Sequence, residues 1–265
     1  MSESIESVIA MSDLTDTTLF KALDGLRPVH GGDGRYPGVG RWTRHLDPDR
    51  LQPCVYGYHL TRGPQVLRWL GSTLYVTEAC PDHDMVVAAD KVVTCRVRLV
   101  RRLDRWDAVT ARLFAADCAE AALLGERASG MEPDERSWAL VDAARRFARG
   151  EIDRGELDAA RTAARTAARA AAGAAAWYAS DVARDASDVA RDAARTAAGA
   201  AAWYARTTAW YATSTDAATA TWDAWDAAWN TLYRRLCAYL EGSPIPPVEP
   251  LYGKETPRRD PRRPE

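Results

Sequence analysis

No proline interrupts the chain between Pro133 and Pro244, and alanine dominates that stretch. A proline inside a helix removes a backbone hydrogen bond and clashes with the preceding turn, while alanine has the best helix propensity. The run is therefore committed to helix. Its length then sets a limit. One unbroken helix from Asp153 to Gly242 would extend about 130 Å and could not bury its own tryptophans. The chain must fold back, and Gly173, Ser180, Gly199 and the Thr213-Ser214-Thr215 cluster are the expected breaks, Ser180 and Thr215 being able to cap a helix. Within the run RAAAGAAAWYA (169–179) recurs as RTAAGAAAWYA (195–205), and Trp222, Trp225, Trp229, Leu232 and Leu236 form a heptad-like stripe. Two or three antiparallel helices packed through alanine faces are expected.

The first third has a different composition. All four histidines, His30, His45, His59 and His83, lie there. HGGDGRYPGVGRW (30–42) is too rich in glycine for a helix and reads as a mobile loop. Residues 54–60, 73–78 and 92–100 read as strands, and 65–70 as a short helix. In VVTCRVRLV, Cys95, Val97 and Leu99 alternate with Arg96 and Arg98, so one face is buried and the other wet. After Asp104 the period becomes helical, through Trp106, Leu113, Phe114 and Cys118. A second helix follows Pro133 and stops at Gly150, and a third opens on an Asp153/Glu156 capping box. The expected fold class is α+β: a small N-terminal antiparallel-sheet unit followed by an alanine-rich antiparallel helical bundle, mostly α overall. The expected boundaries are 1–103 with a flexible N-terminus, 104–242, and a disordered tail at 243–265 rich in proline and arginine.

Charge and cysteine usage narrow the class. The formal net charge is -2, without the basic surplus of a nucleic-acid binder. No apolar run approaches the roughly 18 residues of a membrane span, and MSESIESVIAM lacks the basic start and apolar core of a secretory signal. Five scattered cysteines are not a disulfide framework. A soluble, cytoplasmic protein without a cofactor is expected. Lysine is scarce in an arginine-rich chain: only Lys21, Lys91 and Lys254 occur.

Four residues carry a metal-like pattern. Cys54 and His59, then Cys80 and His83, make a C-x4-H…C-x2-H arrangement of the ligand types zinc prefers. A buried strand cysteine and a polar turn explain them more simply, because two-ligand turns usually contain the tighter C-x2-C, so no metal is assigned. Nothing places a base beside any one cysteine, so Cys–His nucleophilic catalysis has no support. Asp117 and Glu120 lie three apart on one helix, where they can accept a basic partner or pair with Arg136, Arg145 or Arg146 of a neighbouring helix. The threonines of the alanine tract keep no register for ice binding. Trp177-Tyr178, Trp203-Tyr204 and Trp210-Tyr211 could stack on bases, but the acids beside them favour core or oligomer packing.

Three resemblances add to this reading. GYHLT (57–61) and LYVTE (74–78) resemble the His and Tyr strands of ADP-ribosyltransferases, which would give His59 and Tyr75 nicotinamide-side roles; Glu78 stands too close to Tyr75 for that family's glutamate. RLFAADCAEAAL (112–123), PDERSWALVDAARRFARGEID (133–153) and ELDAARTAARTAARAA (156–171) resemble a helical family of bacterial immunity proteins of polymorphic toxin systems. The first region is similar to uncharacterised phage and actinobacterial proteins. The immunity resemblance implies a non-enzymatic protein that occludes a toxin, with Asp117 and Glu120 on its contact surface. The alternative is a structural or self-assembling phage or prophage protein whose tryptophan-rich helices associate with further copies. The remote alternative is an ADP-ribosyltransferase-like enzyme. The expected partner is thus a protein or the chain itself, with neither nucleic acid nor membrane.

Overall fold

The computed structural model describes residues 14–29, 34–171 and 217–253. They form seven strands and four α-helices: β1 (Leu19–Asp24), β2 (Arg27–Pro28), β3 (Tyr58–Arg62), β4 (Thr73–Ala79), β5 (Val86–Val87), β6 (Val92–Thr94), β7 (Val97–Arg102), α1 (Ala108–Ala128), α2 (Glu135–Ala148), α3 (Arg154–Ala171) and α4 (Ala217–Glu241). Two compact units result. One takes in the described residues up to Ala115 together with Leu232–Pro246; the other holds those from Ala116 to Thr231 and from Pro247 onward.

The strands make one antiparallel sheet in the order β5-β6-β3-β1-β4-β7, with β2 folded onto β1. β6 and β7 are separated by two residues in the chain, yet β3, β1 and β4 lie between them in the sheet. The sheet must therefore curl so that the end of β6 meets the start of β7. The link at that seam is Cys95-Arg96, and the Cys80 amide just past β4 donates to the Arg96 carbonyl at 2.9 Å. Residues on the concave face, Leu23, Leu60, Tyr75, Val92, Val97 and Leu99, pack with Tyr36 into one buried cluster. Phe20 points the other way and meets the Tyr233 ring of α4 edge-on at 6.2 Å. The alternation read in VVTCRVRLV holds, with Cys95, Val97 and Leu99 buried.

The expectation of a mostly α protein with a small sheet attached is corrected: the protein is an α+β mix built on a seven-stranded sheet. Much of that sheet carries no readable period. β1 lies where a flexible N-terminus was expected, and β2 and β5 are two residues each. The bundle was extrapolated from alanine propensity across a tract of which 172–216 lie outside the described residues, as do both copies of the repeat beyond Ala171 and the expected helix breaks. Residues 63–68 form a 3-10 turn rather than an α-helix. The glycine-rich segment is tied down from Tyr36 onward, since Tyr36 donates to Leu26, Gly40 to Leu99, Thr43 to Val97 and Leu46 to Cys95.

Helix boundaries follow local chemistry. Asp134 caps α2, accepting from the Arg136 amide at 2.9 Å, and Gly150 ends it with φ 74°. Asp153 and Glu156 make the reciprocal capping box on α3, at 2.9 and 3.0 Å. Trp229, Leu232 and Leu236 of the heptad-like stripe are buried on α4. Residues 243–253, expected as part of a disordered tail, are placed by contacts. Tyr252 donates to the Ala122 carbonyl at 3.1 Å, and its ring lies where a Cβ on Gly125 would stand. Among the described residues no helix is long and apolar enough to cross a membrane.

Candidate functional site

A cavity of about 740 Å³ opens in the first unit, within the size range of small-molecule sites. Its floor is the β1–β3 part of the sheet, and its walls come from the 34–37, 42–44 and 54–57 segments. Antiparallel register brings Lys21 of β1 opposite Tyr75 of β4, while its ammonium reaches across to donate to the His59 carbonyl at 2.8 Å. Gly57, with φ 125°, lets the chain enter β3: a Cβ there would collide with Val93 and Leu51.

The lining is cationic and aromatic. Lys21, Arg35, Arg44 and Lys91 contribute positive charge; Tyr36, Trp42, Tyr58 and Trp69 contribute rings; no carboxylate occurs among the described lining residues. Two of the three lysines in the chain meet at this cavity. Each is seated on a ring, Lys21 at 5.3 Å from the Tyr36 centroid and Lys91 at 4.3 Å from that of Trp69. Burial lowers the Lys21 pKa from the usual 10.5 to about 8. Lys91 also touches the Cys54 thiol at 3.2 Å and Asp90 at 3.4 Å. The Trp69 indole holds this corner in place by donating to the Asp90 carbonyl at 3.0 Å. Burial, then the neighbouring Tyr58, pushes the Tyr36 hydroxyl well above the ordinary tyrosine range.

His59 sits in the cavity as a neutral ring. Its Nε2 accepts from the Cys54 amide at 2.8 Å, which leaves the proton on Nδ1. Burial and the charges of Lys21 and Lys91 lower its pKa. Because the backbone amide occupies that lone pair, His59 is not a base for the Cys54 thiol. Cys54 adopts a left-handed φ of 64°, uncommon for a residue with a side chain.

The other sequence candidates disperse. Cys54 and His59 line the cavity, while Cys80 and His83 lie apart from it with His45 and Cys95, so the four do not form the single ligand set their spacing suggested. Tyr75 is a core residue, its hydroxyl donating to the Gly25 carbonyl at 3.1 Å, and Glu78 pairs with Arg98. Asp117 and Glu120 both bind the same Arg145 nitrogen, Asp117 at 2.6 Å with its side chain 4% exposed. They join α1 to α2, the alternative already visible in the sequence, and little carboxylate surface remains for a partner. Lys21, Lys91, Tyr36 and Arg44 escaped the sequence reading as site residues. The one usable trace was the rarity of lysine where arginine serves elsewhere.

Comparison with protein-family models, with curated proteins and with solved structures finds no match for this chain.

Proposed function

We propose that the sheet unit is a non-catalytic binding module for a phosphate-bearing small molecule with a planar ring, of the nucleotide class. The observation that carries this is Lys21, a desolvated cation seated on an aromatic ring in a cavity whose described lining has no carboxylate, with Lys91, paired to Asp90 at 3.4 Å, as a second positive charge beside it. A buried ammonium normally keeps a carboxylate partner. Lys21 has a ring and a carbonyl instead, and both leave its charge uncancelled. An anion entering the cavity supplies the missing counter-charge, and Trp42, Tyr58 and Trp69 offer apolar walls to a base-like ring. Arg35 and Arg44 stand on exposed wall segments, where they can meet the outer phosphate oxygens.

The immunity-type, protein-binding role keeps the resemblance of the blocks at 112–123 and 133–153 as its support, but the carboxylates chosen for its surface are engaged by Arg145. Calorimetry with a panel of nucleoside mono-, di- and triphosphates and their neutral nucleosides tests the nucleotide reading. Phosphorylated ligands should bind and weaken with added salt, and Lys21→Met or Lys91→Met should each cost about tenfold or more in affinity. Equal binding of neutral nucleosides, or no binding across the panel by folded protein, would refute it.

A further inference from the structure

At the seam of the curled sheet, three soft donors converge outside the cavity. The ligand atoms of His45, Cys80 and Cys95 all lie within 4.8 Å of one another. A tetrahedral zinc ion with the usual bond lengths would set neighbouring sulfur and nitrogen donors about 3.5–3.8 Å apart. Closing the difference takes about 1 Å of donor movement. The backbone is itself pinned there. Cys80 donates to the Arg96 carbonyl and Leu46 to the Cys95 carbonyl, both at 2.9 Å, so each donor hangs from a fixed point of the ladder.

A fourth donor comes near His45, outside the 4.8 Å cluster of the other three. The His83 ring lies 5.4 Å from that of His45, centroid to centroid, on the turn that leaves Cys80. Both thiols are buried, while both imidazoles are exposed, which gives a floor shielded from water and a side from which an ion can enter. Two sulfurs with two imidazoles are a donor set suited to zinc and poorly matched to magnesium or calcium.

We propose that His45, Cys80, Cys95 and His83 form a tetrahedral zinc-type site. The ion would tie four segments together: the end of β4, the turn after it, the β6–β7 link and the 41–46 strap. Binding replaces the two thiol protons with metal bonds and releases them to solvent, with no change of oxidation state. The site is structural, since four protein donors leave no open position for a substrate. It does not depend on what fills the cavity. It does bear on it, because the strap it would fasten carries Trp42, Thr43 and Arg44 into the cavity wall.

The test uses the full chain, reduced and stripped of metal by chelation, titrated with cobalt(II) and then zinc(II). The expected result is saturation at about one cobalt per chain, with sulfur-to-cobalt charge-transfer absorption and intense tetrahedral bands, both abolished by zinc. His45→Ala and His83→Ala change exposed residues and keep the fold readable; each should weaken binding by more than about tenfold. Cys80→Ser should remove the charge-transfer absorption, and Cys54→Ser should leave it intact. Absence of thiolate charge transfer in the folded reduced chain would overturn the proposal. So would bands unaffected by both histidine variants, or a Cys80–Cys95 disulfide in freshly isolated protein.

Discussion

Replacing Lys21 with methionine separates what the lysine does for binding from what it does to stability. The unfolded lysine has a pKa of 10.5, and in the folded protein burial lowers it to about 8. Each unit corresponds to 1.36 kcal/mol, so keeping the ammonium charged inside the fold destabilises the protein by about 3 kcal/mol near neutral pH. Methionine has similar length and no charge, so Lys21→Met should stabilise the first unit at pH 7. The gain should be about 1–3 kcal/mol, the lower end reflecting the lost hydrogen bond to His59. The pH dependence has a definite sign. Below pH 8 both states hold the proton and the penalty is present in full. Between 8 and 10.5 the unfolded state still holds it while the folded state has released it, so wild-type stability rises with pH relative to the variant. Urea denaturation of both proteins, followed by tryptophan fluorescence from pH 7 to pH 10, measures the gap directly. It should stay nearly constant up to about pH 8 and shrink from there to pH 10. A variant less stable than wild type at pH 7, or a gap that does not change with pH, would show that Lys21 is not desolvated. The main support for an anion site would then be gone.

Three further outcomes are expected. Arg145→Met removes the cation that the buried Asp117 carboxylate shares with Glu120. It should destabilise by about 2–3 kcal/mol, less than a fully buried pair would because Arg145 and Glu120 are 23% and 25% exposed, and Asp117→Leu added to it should recover much of the loss in the same urea assay. His59 should titrate below the ordinary histidine range when its ring resonances are followed by NMR; stability should fall as pH drops from about 6.5 through that lowered pKa, because only the neutral ring accepts from Cys54. Gly125→Leu should displace the Tyr252 ring, costing about 1–3 kcal/mol, and make residues 247–253 susceptible to limited proteolysis where the parent is resistant.

How far the residues announced this arrangement depends on the range of the interaction involved. Capping chemistry acts over three or four residues, so Asp153, Glu156 and Gly150 could be read directly, and the alternation of Cys95, Val97 and Leu99 revealed a half-buried strand. β1 could not be read the same way. LFKALD buries side chains on both faces and includes a lysine that points into the core side, so neither a period of two nor an apolar run marks it. The sites were hidden for a related reason: their members are gathered by sheet register rather than by chain proximity. Cys54 and His59 look like half a zinc motif because they are five residues apart, yet folding spends that pair on an amide-to-imidazole hydrogen bond. Cys80 instead meets His45 and Cys95 because the sheet curls and the 41–46 strap runs beside β7. Spacing records which donors are close along the chain, whereas curvature decides which are close in space. The soft-donor cluster therefore becomes visible only once the β6–β7 seam is drawn. The same seam explains why the cavity and the cluster, though chemically unrelated, share one strap as a wall.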